Sequence, residues 1–478
     1  MRCLPRWSGA ETVGDNTRNI RLFWGLLAGL TIIRLYLAAS VPLTPDEAYY
    51  WVWSRNLQPG YLDHPFMVAL WIRVGTWIVG DTTLGVRLLG PLSVLPGSWA
   101  LYHAVRQLLP GSPWPQSGFR AALLLNATLM LGLGAATMTP DTPLLFFITL
   151  FLYTLSRAID PELTARAALP WWIGSGLLLG LAFDSKYTAV LIGLGLGGAV
   201  LTTKRLRQQP GPWLALPGLF VAMSPVIVWN AGHHWASFIR QGGRTGDWHP
   251  ARAFQFMGEL IGGQIGLATP LVFILFVVGL WVCVRRNRLL AWLALVPTAV
   301  FVAHAFGDRV QPNWPAVIYP VLAIAALEAG WRIRWPVVSG LVITMIVCIQ
   351  AIFSPLHLVP HRDPVLRLTG GWDEFARKVA LQAKAQGATA LAAEDYGLAS
   401  RLAFTQNILP VIGTDTRWHL FRLPATAAVK TVVIEEQRHG GEGQKAATSC
   451  REVRGQAIRC YAVHEPDFVT GVRLPERS

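Results

Sequence analysis

Two short stretches place carboxylates where the chain turns out of long apolar runs. The first reads Leu43-Thr44-Pro45-Asp46-Glu47-Ala48-Tyr49-Tyr50-Trp51, followed by Tyr61-Leu62-Asp63-His64-Pro65. A carboxylate can take a proton from a hydroxyl, and a second acid beside an imidazole can hold the molecule that loses it. Acids capping a helix after Pro45, within a Tyr and Trp belt at a membrane interface, account equally for Tyr49, Tyr50, Trp51 and Trp53. They account less well for the Asp63-His64 pair. The second stretch, Met138-Thr139-Pro140-Asp141-Thr142-Pro143, holds an acid between two prolines, and helix capping is its ordinary use. Lys186 follows in Phe183-Asp184-Ser185-Lys186-Tyr187, with no room for a solvated loop. Snorkelling or an ion pair with Asp184 is its ordinary account. Charges this close to hydrocarbon are functional candidates by default.

A third group lies further on. His233 and His234 are adjacent in Trp229-Asn230-Ala231-Gly232-His233-His234-Trp235, and Arg240 and Arg244 follow four apart. Adjacent histidines point apart on regular backbone, and no acid at close spacing completes a zinc set. Two arginines four apart on a helix share a face and could clamp a phosphate, or simply hold lipid headgroups. Asp308-Arg309 and Gln311-Pro312-Asn313-Trp314-Pro315 complete the polar set. Arg34, inside an apolar run, reads as half of a buried structural pair.

The elements that must position these residues are membrane spans. Of 478 residues 53% are hydrophobic and 14% charged, with a mean hydropathy of +0.40; a soluble chain keeps about a quarter charged. The net charge of +14 sits in short clusters between apolar segments, as cytoplasmic loops require, which excludes nucleic acid as the partner. Runs near 22–41, 84–108, 119–137, 142–157, 169–184, 187–202, 213–230, 264–284, 289–306, 315–330 and 336–353 each suit a span of about 20 residues. The segment 66–79 is shorter, carries Arg73, and reads as a helix lying at the interface.

Leaving 66–79 out puts Arg106 and Arg120, Arg157 and Arg166, Lys204-Arg205-Arg207, Arg285-Arg286-Arg288, and Arg332 with Arg334 on one side, together with Arg2, Arg6, Arg18 and Arg21. That is the positive-inside pattern with the N-terminus in the cytoplasm, and no cleavage site turns 1–21 into a signal peptide. The opposite connections then hold nearly every chemically suspicious residue named above. After Ser354 the composition turns soluble: an amphipathic helix from Trp372, strands at 389–393 and 431–434, and a second helix from Tyr396. Cys450 and Cys460 lie close together there, and an oxidising compartment makes a disulfide plausible. The expected architecture is an α-helical polytopic inner-membrane protein with about eleven spans. Residues 1–21 form a cytoplasmic tail, 22–354 the membrane domain with periplasmic loops, and 355–478 a small periplasmic α/β domain.

Carboxylates beside cations at an outer interface suit a lipid-phosphate-linked sugar, whose anomeric carbon lies at headgroup depth while its tail stays in the bilayer. A carboxylate deprotonates the attacking hydroxyl, and Lys or Arg stabilises the departing phosphate. At these residues the chain resembles the GT-C type membrane glycosyltransferases, nearest the aminoarabinose transferases acting on lipid A and the protein O-mannosyltransferases. The motifs that carry the resemblance are Pro45-Asp46-Glu47-Ala48-Tyr49-Tyr50, Thr139-Pro140-Asp141, Gly180-Leu181-Ala182-Phe183-Asp184-Ser185-Lys186-Tyr187, Trp229-Asn230 with His233 to Phe238, and Gln311-Pro312-Asn313-Trp314-Pro315-Ala316.

The resemblance implies a polyprenyl-phosphate sugar donor, inversion, no cofactor or metal, and a lipid, glycan or protein acceptor. It implies Asp46 as base, with Asp141 as second acid and Glu47 beside them. Lys186 would meet the donor phosphate, aided by Arg240 and Arg244, and Tyr49, Tyr50, Asp63, His64, His233 and His234 would bind substrate. Phe66 departs from the family pattern, which has a second proline after Pro65, and the C-terminal domain is short for an aminoarabinose enzyme. A lipid-sugar flippase is the alternative, but transporters show repeated halves and midplane polar residues, and this chain shows no internal repeat.

Overall fold

The computed structural model describes residues 13–110, 116–243, 248–437 and 446–477. The apolar runs form helices in the order α1 (Val13–Ser40), α2 (Pro45–Arg55), α3 (Met67–Val79), α4 (Thr83–Arg87), α5 (Leu89–Leu108), α6 (Ser117–Asn126), α7 (Leu129–Gly132), α8 (Asp141–Ala158) and α9 (Ala165–Ser185). They continue through α10 (Ala189–Thr202), α11 (Lys204–Arg207), α12 (Pro210–Gly232), α13 (Ala236–Gly243), α14 (Ala253–Ala268), α15 (Pro270–Arg286), α16 (Arg288–Ala305), α17 (Tyr319–Ala325) and α18 (Arg334–Phe353).

Each of the eleven expected segments is helical, yet the span count is coarser than expected. Among the described residues six helices are long and apolar enough to cross a membrane, or up to eight if each of two bent pairs counts as one span. Helix α10 and the apolar stretch Trp314–Ala329 are shorter, and α8 carries Asp141 in its first turn and Arg157 in its last. Helix α3, at 13 residues, is about 20 Å long against a hydrocarbon core of about 30 Å. It buries Val68, Ala69 and Ile72 and exposes Arg73, Trp77 and Ile78.

The expected span 264–284 is not one helix. Thr269 adopts φ +69° between α14 and α15, and the two turn by 108°. The following Pro270 excludes helical backbone at Thr269 and starts α15. A second break of 74° separates α6 from α7, where Thr128 caps the new helix. Arg34 of α1 answers that break. Its Nε donates to the Gly132 carbonyl at 3.2 Å and its Nη2 to the Asn126 carboxamide at 3.1 Å, so the mid-span arginine is a structural group.

Beyond Phe353 the chain forms α19 (Pro364–Thr369), α20 (Trp372–Ala385), β1 (Ala390–Ala393), α21 (Tyr396–Thr405), β2 (Val411–Gly413), β3 (Ala425–Glu436), β4 (Ala447–Val453), β5 (Gln456–Val463) and β6 (Asp467–Arg473). The six strands make one sheet in the order β1-β2-β6-β3-β5-β4. β1 runs parallel to β2 and β3, and the other pairings are antiparallel. Helix α20 buries Trp372, Phe375, Ala376, Val379 and Ala383, the stripe that a 3.6-residue period puts on one face. Cys450 and Cys460 face each other across β4 and β5 and are bonded.

One hydrophobic core runs from this sheet into the first loop of the helical bundle. The Trp51 ring meets Phe404 at 5.1 Å, Tyr49 meets Trp418 at 5.6 Å, and Tyr61 meets Phe421 at 5.6 Å. Eight consecutive residues of α2, from Glu47 to Ser54, are therefore buried, the polar Glu47 and Ser54 among them.

Candidate active site

Helix α2 starts with a capping box. Thr44 Oγ1 accepts from the Glu47 amide, and the Glu47 carboxylate accepts from the Thr44 amide at 2.9 Å, with Pro45 in the first turn. The same carboxylate accepts from Arg87 Nε at 2.6 Å, Arg87 Nη2 at 2.7 Å and the Met138 amide at 2.9 Å. Burial alone would raise this acid, but the Arg87 guanidinium and the two amides hold it below the ordinary range. Glu47, expected beside the catalytic acids, is fully buried and lies outside the cavity described next. It ties α2 to α4 and to the loop before α8.

With Thr44 and Glu47 serving the cap, Asp46 has no capping duty. It faces a cavity of about 490 Å³ at the end of the bundle. Its carboxylate accepts from the Tyr396 hydroxyl at 3.1 Å. Burial pushes the Asp46 carboxyl up, and the charges of Glu47, Asp63 and Asp395 push the same way against the Tyr396 hydrogen bond. The Tyr396 phenol is itself raised by burial and by Asp46, so it stays a donor.

The other wall is built from spans. Lys186, the first residue beyond α9, donates to both oxygens of Asp141 at 2.7 and 2.9 Å, and Asn313 donates to the same carboxylate at 2.6 Å. Lys186 thus pairs with Asp141 and not with its sequence neighbour Asp184. Arg309 lines the cavity as well, with Glu259 at 2.7 Å on its outer side.

Asp63 holds the floor between the walls. It accepts from the Tyr49 hydroxyl at 3.1 Å and pairs with Arg417 at 3.4 Å and Arg240 at 3.6 Å. Arg417 also lies over the Tyr396 ring at 4.2 Å. Helix α13 is pinned to this loop: Ser237 Oγ donates to the Tyr61 carbonyl at 2.7 Å and Gln241 to the Asp63 carbonyl at 2.7 Å.

Asp46, Tyr49, Tyr50, Asp63, His64, Asp141 and Lys186 therefore meet in one cavity, as their types suggested. Arg240 does not line it and reaches only its edge, half exposed beside Asp63. His233 and His234 stand outside it. The His233 ring stacks on Trp229 at 4.1 Å, and exposed His234 sits at φ +53° in the turn between α12 and α13. The turn that carries both histidines is closed by Asn230, whose side chain accepts from the Ser237 amide at 3.2 Å. Arg244 lies outside the described residues. Sequence reasoning missed Tyr396 and Arg417. The available signal was the position of Asp395-Tyr396 just past the C-terminal end of a parallel strand, where α/β sheets present ligand contacts. Among the described residues no group of three or more metal-ligating side chains occurs.

The family model described as dolichyl-phosphate-mannose-protein mannosyltransferase matches residues 63–229. The lipid A galacturonosyltransferase RgtD of Rhizobium johnstonii is 24% identical over 75% of this chain and 77% of its own. The lipopolysaccharide core galacturonosyltransferase RgtA of the same organism is 25% identical over 91% and 90%. The crystal structure of ArnT from Cupriavidus metallidurans bound to undecaprenyl phosphate superposes with a TM-score of 0.64, covering 94% of this chain and 98% of that one at 16% identity, a likeness of fold.

Proposed function

The chain belongs to the GT-C membrane glycosyltransferases, and from that premise we propose that it moves a sugar from a polyprenyl phosphate onto a hydroxyl of a lipid A or lipopolysaccharide acceptor. The observation that carries the reading is the single cavity with a lone, burial-raised carboxylate, Asp46, on one wall and the Asp141-Lys186-Asn313 cluster on the other. Asp46 accepts the acceptor proton as its oxygen attacks the anomeric carbon. The bond from that carbon to the phosphate oxygen breaks, and polyprenyl phosphate leaves as an anion stabilised by Lys186 and Arg309. A single displacement inverts the anomeric centre.

The sugar class that the relatives favour is a galacturonic acid, since the two that cover most of this chain are galacturonosyltransferases. The reading places the enzyme in the bacterial inner membrane with the N-terminus inside. The basic residues at the C-terminal ends of α5, α8 and α15, away from the cavity, support that orientation, which puts cavity and sheet in the periplasm. Purified protein given galacturonosyl- or aminoarabinosyl-polyprenyl phosphate and lipid A is expected to release polyprenyl phosphate and form an inverted linkage. Release with retention, or no release with any such donor, overturns the reading.

A further inference from the structure

A second polar cavity lies behind the first. It measures about 60 Å³, room for a tetrahedral or planar oxyanion in place of a few waters. Its walls come from the C-terminal sheet and from α2, and three of its residues are arginines: Arg367, Arg451 and Arg459. Arg451 is buried and held in place, donating to the Tyr461 hydroxyl, the Gly370 carbonyl and the Arg367 carbonyl. Arg459 shares an exposed pair with Glu436 at 3.0 Å. Exposed Arg367 has no ion-pair partner among the described residues. The other acid of the cavity, Asp395, caps α21 through the Leu398 amide at 2.7 Å.

Positive charge also stands behind the wall. Trp372 lines the cavity, with Arg451 over its ring at 4.1 Å and buried Arg401 at 5.1 Å. Arg401 Nε and Nη2 have no hydrogen-bond partner. Arg401 has Asp373 and Glu47 for its own charge, but within the cavity lining three guanidinium groups face two carboxylates, Asp395 and Glu436, an excess that an anion would balance.

Position gives the cavity its meaning. It is lined by Pro45 and Asp395, whereas Asp46 and Tyr396, the next residues, line the reaction cavity. The two cavities are thus lined by chain neighbours at two places, the start of α2 and the start of α21. Gly397 lets these two starts approach, because a Cβ there would stand 2.9 Å from Pro45 Cβ. We propose that the arginine cavity holds an oxyanion of the acceptor glycolipid, a phosphate ester or sugar carboxylate, and so sets the acceptor hydroxyl beside Asp46. This rests on the transferase reading for its purpose, but the anion site is tested without any donor.

The full chain in detergent is titrated with three acceptor probes: lipid A bearing its phosphates, dephosphorylated lipid A, and dephosphorylated lipid A extended by carboxylated inner-core sugars. One anionic probe or both should bind at least about tenfold tighter than the uncharged one, as expected for charge-assisted hydrogen bonds. Which probe gains identifies the source of the oxyanion. Arg367→Gln/Arg459→Gln should erase that gain; both side chains are exposed, so the fold loses little. Equal binding of all three probes, or a gain that survives in the double variant, overturns the proposal. Failure of the transferase reading would show separately, as no polyprenyl phosphate released from donor.

Discussion

The two walls of the reaction cavity are built in opposite ways. On the span side, Asp141 receives three donated hydrogen bonds of 2.6 to 2.9 Å, two from Lys186 and one from Asn313, all anchored on helix ends. On the outer side, Asp46 receives one of 3.1 Å, from Tyr396 at the start of α21 in the C-terminal unit. On the proposed reading the first arrangement is a fixed cation, whose value would lie in needing no reorganisation when a phosphate departs. The second leaves a carboxylate under-satisfied and raised by burial, the state a proton acceptor needs. Preorganisation and proton hunger are thus assigned to different parts of the fold.

The comparison breaks first at Asp46. Asp46→Asn keeps the shape and cannot take the proton, so turnover should fall about 10²–10⁴-fold with donor binding kept. Because Thr44 is the helix cap, no loss of stability should accompany it. Near-normal turnover would move the base elsewhere. Lys186→Met should cost about 10²–10³-fold in turnover and weaken donor binding, and should also destabilise the fold by leaving Asp141 buried and unpaired. The pair Asp141→Asn/Lys186→Met is expected to regain that stability and none of the turnover. Recovery of turnover in the double variant would reduce the cluster to a structural pair.

A smaller effect sharpens the outer wall. The Tyr396 hydrogen bond opposes the upward push of burial on Asp46. Removing it in Tyr396→Phe should raise that acid further. The base is active only when deprotonated, so activity is lost as pH falls through its pKa, and the acid limb of kcat/KM should move to higher pH. One hydrogen bond of about 1 kcal/mol corresponds to less than one pH unit. A limb that stays put or moves to lower pH would remove Tyr396 from its positioning role.

The contrast also explains what the sequence disclosed. Polar residues at span ends are conspicuous against hydrocarbon, so Asp46, Asp63, Asp141 and Lys186 could be picked out by type alone. Partners could not: Lys186 chose Asp141, 45 residues away, over Asp184 two residues away, because the helix directions decide it. Glu47 and Asp46 are neighbours with opposite fates, set by which side of α2 faces Arg87. In the C-terminal unit the two amphipathic helices and the apolar strands β1 and β3 were legible. Strands β4 to β6 are short, half exposed and rich in Arg, Glu and Thr, and gave no clean alternation. Tyr396 and Arg417 lie in that unit, more than 330 residues from the acids they serve.

The smallest expected effect tests how firmly that unit holds the outer wall. Cys450 and Cys460 lie directly opposite in β4 and β5, at the edge of the sheet and ten residues apart. Closing so short a loop stabilises by about 2–3 kcal/mol in the chain-entropy account. Thiol labelling of unreduced, unfolded protein should therefore find neither sulfur free; labelling of both would refute the bond. With both replaced by serine, the hydrophobic core shared by the sheet and α2 remains, including Trp418 and Phe421. Transfer at 25 °C should stay close to normal, while heat inactivation begins several degrees lower. Donor binding, which belongs to the span side, should survive to a higher temperature than transfer. Loss of both at the same temperature would show that the two walls open as one cooperative unit, and the division of labour between them would then be chemical but not mechanical.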